Sequence, residues 1–372
     1  MAGLYIHIPY CKKACNYCNF HFSTIQSSQA EMVKAIIKEI IFQKDLITTE
    51  IETIYFGGGT PSLLTPLQIE NILNTIHKNY RISTQVECSF EANPDDLRVD
   101  TLSAWQQCGI NRLSVGIQSL HNPTLEWMNR THNAAEALKN VGLAKKYFSN
   151  LNLDVIYGIA LVSHQDFEHS LRQILQLVPT HISAYALTIE PKTKLERQIK
   201  QNPQWLAPDE WYLTQRAILI DMLYSNSFEH YEVSNFSLKD YQSKHNSNYW
   251  LRKPYIGFGP AAHSFIKPKR WWNIANNSTY INQIFSNQKI SSVEELTIQQ
   301  QYNEYMMFAF RTAKGGNFNE IENLYGVQIK DHTKNKLLQI NSNHININDD
   351  GFSLTTEGWL WSDKYAVDFF LE

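Results

Sequence analysis

LYIHIPYCKKACNYCNF, residues 4–20, places three of the chain's five cysteines directly behind a short apolar run. LYIHIP (4–9) reads as a strand, and the polar segment after it carries Cys11, Cys15 and Cys18. Five further runs of that kind follow: IETIYF (51–56), QVECSFEA (85–92), NRLSVGIQ (111–118), NLDVIYG (152–158) and HISAYALTI (181–189). Between them apolar residues recur at helical spacing over 30–47, 66–78, 99–108, 134–148 and 165–178. This alternation predicts an α/β protein with a parallel sheet and right-handed crossovers, doubly wound or curved into a partial barrel. In either form ligands collect beyond the carboxyl ends of the strands, which is where the cysteines fall.

The 372 residues are 43% hydrophobic and include 9 Trp, 19 Tyr and 18 Phe, enough apolar mass for a large core. A net charge of -3 gives no global attraction to nucleic acid or anionic lipid. No long uncharged apolar run and no signal-peptide pattern is present, so a cytoplasmic chain is expected. There, five cysteines are better read as metal ligands or buried thiols than as disulfides. Periodicity is poor over roughly 192–289 apart from one helix at 208–226. The tail then reads as helices followed by a hairpin, HININDDGFSLT (344–355), turning at Asp349-Asp350-Gly351. The expected division is a barrel over 1–230, an extension over 231–294 and a small winged-helix-like domain over 295–372. That tail carries eleven Asp/Glu against six Lys/Arg, which opposes a phosphate backbone and makes it a packing or partner-contact module.

Thiolates are soft donors suited to zinc or to iron–sulfur clusters. A structural zinc wants four closed ligands, and only His7 or His21 is near enough in sequence to be a fourth, neither at a customary spacing. Three cysteines on a cubane cluster leave one iron open, the arrangement of radical S-adenosylmethionine (SAM) proteins. Cys88 and Cys108 fall in a strand and at a helix end and read as small buried hydrophobes.

The cysteine motif, GGGTPS (57–62), EANP (91–94), GIQS (116–119) and YEVSNF (231–236) together resemble the oxygen-independent coproporphyrinogen oxidase family of radical SAM proteins, over nearly the whole chain. The resemblance implies a partial (β/α)6 barrel of the TIM type and a [4Fe-4S] cluster on Cys11, Cys15 and Cys18. It also implies SAM contacts from Tyr5, Tyr17, Gly58, Gly59, Thr60, Glu91, Gln118, Arg130, Asp154 and Ala186. Asn19, in place of a frequent Asp, and Tyr157-Gly158-Ile159-Ala160, in place of a proline-containing loop, depart from the family pattern.

The family's oxidase has a fourth cysteine where this chain has Phe20, and an extension ahead of the motif where this chain has ten residues. KHNSNYWLRK (244–253) instead resembles the HNxxYW segment of the family's haem-chaperone branch. His245 would be an axial ligand to haem iron, Tyr249 and Trp250 would face the macrocycle, and Lys244, Arg252 and Lys253 would meet propionates. The implied function is a carrier passing haem to acceptors such as respiratory haem enzymes. The alternative is radical oxidative decarboxylation of coproporphyrinogen. Haem and haem-accepting proteins are the implied partners, with peripheral membrane contact and a homodimer left open.

Overall fold

The computed structural model describes residues 1–288 and 290–372. Its frame is six adjacent parallel strands in sequence order: β1 (Ala2–Ile8), β2 (Ile51–Gly58), β3 (Ile82–Ala92), β4 (Arg112–Gln118), β5 (Asn150–Tyr157) and β6 (His181–Ala186). The helices between them are α1 (Gln29–Phe42), α2 (Pro66–Asn79), α3 (Val99–Gln107), α4 (Asn122–Trp127), α5 (Ala134–Ala144) and α6 (His164–Gln176). α4 is the one crossover helix that periodicity did not predict, being too short to show a repeat.

Local chemistry accounts for these boundaries. α2 starts at a capping box in which Thr65 accepts from the Gln68 N–H and Gln68 reaches back, with Pro66 at the first helical position. Its Ile69, Ile72, Leu73 and Ile76 are buried at the spacing of one helix face. Truncating any of them to Ala costs about 2–5 kcal/mol.

The sheet does not stop at six strands. β7 (Glu229–Glu232) and β8 (Asn235–Ser237) form a hairpin whose β8 pairs antiparallel with β6. On the opposite edge β9 (Tyr255–Phe258) pairs parallel with β1, followed outward by antiparallel β10 (His263–Ile266), β11 (Lys269–Asn273) and β12 (Ser291–Glu295). The result is an open, twelve-stranded partial barrel. Its additional helices are α7 (Lys194–Gln201), α8 (Asp209–Ser225), α9 (Lys244–Trp250) and α10 (Asn277–Phe285). Beyond α8, the helix expected there, the aperiodic stretch is thus built of helices of seven to nine residues and strands of three to five, too short for a period to register, and its last residue, Lys289, lies outside the described residues.

Residue 230, the expected end of the barrel, lies inside β7, and the sheet runs on through it. The tail has its own apolar core, including Tyr302, Met306, Phe310, Ile321, Leu337, Phe352 and Phe369. It consists of α11 (Ile298–Ala309), α12 (Phe318–Tyr325), α13 (Val327–Leu337) and α14 (Ser362–Asp368) with a small sheet of β13 (Gly316–Asn317), β14 (Ile345–Ile347) and β15 (Gly351–Leu354). Its backbone also covers the β7 edge: the Val233 N–H donates to the Arg311 carbonyl and the Ala313 N–H to that of Tyr231. Among the described residues no helix is long and apolar enough to cross a membrane.

Candidate functional site: a cysteine-lined cleft and a plugged barrel floor

A cleft of about 450 Å³ opens at the carboxyl ends of β1–β6. Cys11, Cys15, Cys18, Tyr17, Gly58, Gly59, Thr60, Glu91, Gln118, Arg130, Asp154 and Ala186 all line it. Residues from more than 170 positions of sequence therefore converge because most follow or end a parallel strand, while Asp154 lies within β5 and Arg130 follows α4. Tyr5 differs. It points into the barrel one layer lower, where a Cβ added at Gly57 would stand 3.0 Å from its ring and 3.2 Å from Glu91 Oε1.

The glycines are needed for close approach. A Cβ on Gly59 would lie 2.6 Å from the Tyr10 carbonyl oxygen and 2.9 Å from that of Ile8, and Gly58 has φ +108° with the His7 ring 2.7 Å from where its Cβ would be. Gln118, at the end of β4, holds φ +67°, an uncommon conformation that turns the chain into the cleft. Asn19 donates to Glu190 at 2.7 Å and so ties the cysteine loop to the segment after β6.

Arg130 organises the cysteine side. Its Nη2 donates to Asn93 Oδ1 and to the Gly116 carbonyl, both at 2.7 Å, and its Nη1 to Cys15 Sγ at 3.3 Å. The Thr60 hydroxyl donates to Cys11 Sγ at 3.5 Å. Burial pushes the Cys11 and Cys18 thiols up to about 11. A bound cation reverses that preference, since it stabilises the thiolate directly.

Two carboxylates face the cleft. Burial pushes Glu91 up to about 7, against hydrogen bonds from the Tyr55 hydroxyl at 2.7 Å and the Gly58 N–H. Asp154 is likewise raised by burial and accepts from Asn152 at 2.7 Å and Ser114 at 3.3 Å. Neither has a cationic partner within ion-pair distance among the described residues.

The donor set fits a cluster better than a single ion. Among the described residues no three His, Cys, Asp or Glu side chains converge closely enough to hold one metal, as bonds of about 2.3 Å to one zinc would demand. A cluster spreads its thiolates over separate irons. Asn93, Ser114, Ile156 and Tyr185 also line the cleft and were not expected. Ser114 was findable, because it precedes Gly116 and Gln118 by the two-residue strand period that turns side chains to one face.

His245 lies elsewhere. α9 closes the barrel at the opposite end, where the strands begin: Glu87 of β3 accepts the N–H groups of Lys244 and His245 at 3.1 Å. The expected haem-binding segment is thus a helix plugging the floor. The His245 ring is 2% exposed, with Nδ1 hydrogen-bonded to Thr53 at 2.8 Å and Nε2 to the Tyr249 hydroxyl at 2.7 Å. Burial holds its pKa down to about 3, so the ring is neutral. Of the basic neighbours, Lys253 is paired with Glu52 at 3.1 Å, Lys244 reaches the Gln85 carbonyl, and Arg252 donates to the Tyr325 hydroxyl with Glu304 at 3.9 Å.

Residues 5–174 match the Radical SAM superfamily. The chain is 32% identical over 333 residues to the heme chaperone HemW of Bacillus subtilis, covering 88% of this chain and 87% of that protein. It is 35% identical over 319 residues to the heme chaperone HemW of Buchnera aphidicola subsp. Acyrthosiphon pisum, covering 84% and 83%. Among solved structures it superposes on the coproporphyrinogen III oxidase (HemN) of Escherichia coli, a radical SAM enzyme, with a TM-score of 0.87 over 99% of this chain and 90% of that one. At 19% identity that likeness speaks for the fold alone.

Proposed function

The chain belongs to the heme chaperone HemW family within the radical SAM superfamily, and from that membership we propose that it binds haem and hands it to haem-accepting proteins. The observation that carries the reading is α9: the HNSNYW segment stands in a chain whose cysteine loop has a phenyl group, Phe20, 69% exposed, where the family's oxidase has a fourth cysteine.

Cys11, Cys15 and Cys18 hold the [4Fe-4S] cluster that membership of the superfamily implies. When bound, such a cluster offers SAM an open iron and a source of one electron. Glu91 and Asp154 suit the ribose hydroxyls and ammonium of SAM, because both are buried acceptors without a cation. Gly58, Gly59 and Thr60 bring backbone to the methionine end, while Tyr17, Gln118, Arg130 and Ala186 shape the walls. Tyr5 supports Glu91 from below.

His245 is the iron ligand, in the neutral form that ligation requires. Ligation exchanges the Tyr249 hydroxyl for iron at Nε2 and so requires α9 to shift from the floor. The test is an anaerobic haem titration of the reconstituted protein, followed at the Soret band, with His245→Ala and His245→Gln beside it. Saturable binding, weakened in both variants, supports the carrier. Absence of saturable binding in the parent protein overturns it; equal binding by both variants removes His245 from the role.

A further inference from the structure

Lys12 lies between Cys11 and Cys15 in the cysteine loop, and its ammonium reaches the short turn Pro94–Asp96 that follows β3. It donates to Asp95 Oδ2 at 2.6 Å and to Asp96 Oδ1. Asp96 is 4% exposed. Among the described residues no other cation stands within ion-pair distance of either carboxylate.

The same two carboxylates hold the other walls of the cleft. The Ser62 hydroxyl, in the loop after β2, donates to Asp96 Oδ2 at 2.6 Å, and the Thr131 hydroxyl, beside Arg130, donates to Asp95 Oδ1 at 2.8 Å. Four segments around the cleft therefore meet at one ammonium and two carboxylates. Further along, the cysteine loop is tied by amides: the Ala14 carbonyl accepts from Asn129 at 2.8 Å, and the Asn16 N–H donates to the Met128 carbonyl at 3.1 Å. An exposed ion pair contributes little to stability. This one differs because Asp96 is buried, and a buried carboxylate stripped of its cation is costly.

We propose that Lys12, with Asp95 and Asp96, is a charge latch that positions the cysteine loop and raises the reduction potential of the cluster held there. The inference rests on the assignment of Cys11, Cys15 and Cys18 to that cluster and adds a positioning residue to it. The sign follows from electrostatics. Reduction adds one electron to the cluster, and Lys12 offsets one of two negative charges at the edge of its cleft. Without Lys12 both carboxylates stand uncompensated and oppose the added electron. Lys13, the next residue, is exposed, and solvent screens its charge.

The experiment is a redox titration of the reconstituted full chain, read by the electron paramagnetic resonance signal of the reduced cluster. It compares the parent with Lys12→Met, Lys12→Arg, Lys13→Met and the double variant Lys12→Met/Asp95→Asn. At the parental midpoint, Lys12→Met shows a reduced-to-oxidised ratio about tenfold lower, about 59 mV for one electron. Lys12→Arg and Lys13→Met keep the parental midpoint, and the double variant returns towards it because the uncompensated charge is gone. A structural role alone would lower the iron content and leave the midpoint of the remaining cluster in place. A parental midpoint in Lys12→Met, an equal fall in Lys13→Met, or a double variant as low as Lys12→Met overturns the latch. If Lys12→Met takes up no cluster, the double variant decides: cluster regained supports the latch, and cluster still lost overturns it. A parent that takes up no four-iron cluster overturns the cysteine assignment as well.

Discussion

The imidazole of His245 lies on the ring of Tyr55, centroids 5.0 Å apart and planes 26° from parallel. The Tyr55 hydroxyl donates to Glu91 in turn, so one side chain spans from the floor helix to the cysteine-lined cleft. Tyr55→Phe keeps the stack and removes the donor. Since that bond favours the ionised Glu91, its loss should weaken SAM binding about fivefold, the worth of roughly 1 kcal/mol. Equilibrium SAM binding to the reconstituted variant checks it.

Glu91 also predicts a pH dependence. Its folded pKa is raised to about 7 from 4.5, so the ligand-free fold loses stability as pH climbs through that window. SAM brings positive charge, which favours the carboxylate and expels the proton. Affinity should therefore rise from pH 6 to 8, by no more than about tenfold per unit for one proton. Glu91→Gln should flatten the profile; a profile unchanged in that variant would place the titrating group elsewhere.

Two glycines should respond in opposite directions. Gly59→Ala forces a methyl against the Tyr10 and Ile8 carbonyls, a clash with backbone that costs about 1–3 kcal/mol and displaces the cysteine loop. Gly142→Ala, in the last turn of α5 with Leu177 Cδ2 at 3.9 Å as the one near atom outside the helix's own backbone, should stabilise by about 0.5 kcal/mol. Thermal melting separates them, and only Gly59→Ala should also lower cluster absorbance after anaerobic reconstitution.

Replacing Cys11, Cys15 or Cys18 with Ala should each abolish that absorbance. Cys88→Ala and Cys108→Ala should retain it, since those thiols sit in β3 and at the end of α3, away from the cleft. A four-iron spectrum in Cys15→Ala would contradict the ligand assignment.

The barrel strands and the cysteine loop were legible because their signals are local. Strands such as IETIYF are apolar over six residues, and Cys11, Cys15 and Cys18 share one loop. The floor was not legible. KHNSNYW is a seven-residue helix without apolar periodicity, and the groups that bury His245 come from far away, Thr53 lying 192 positions off in sequence. Tyr5 shows a subtler limit: strand alternation turns it inward, but its depth below Glu91 depends on the stagger of β1 against β2 and of β2 against β3. The edge strands β7–β12 escaped because pairing, not pattern, defines strands of three to five residues.

The central claim is that this chain delivers haem, and delivery can be watched directly. The haem-loaded, cluster-reconstituted protein is mixed anaerobically with an apo haem protein, and the Soret bands of donor and acceptor are followed over time. Haem should leave this chain and appear in the acceptor, faster than it arrives from free haem at the same concentration. Haem that stays bound, or 5'-deoxyadenosine formed together with propionate decarboxylation when coproporphyrinogen is supplied, would contradict the carrier.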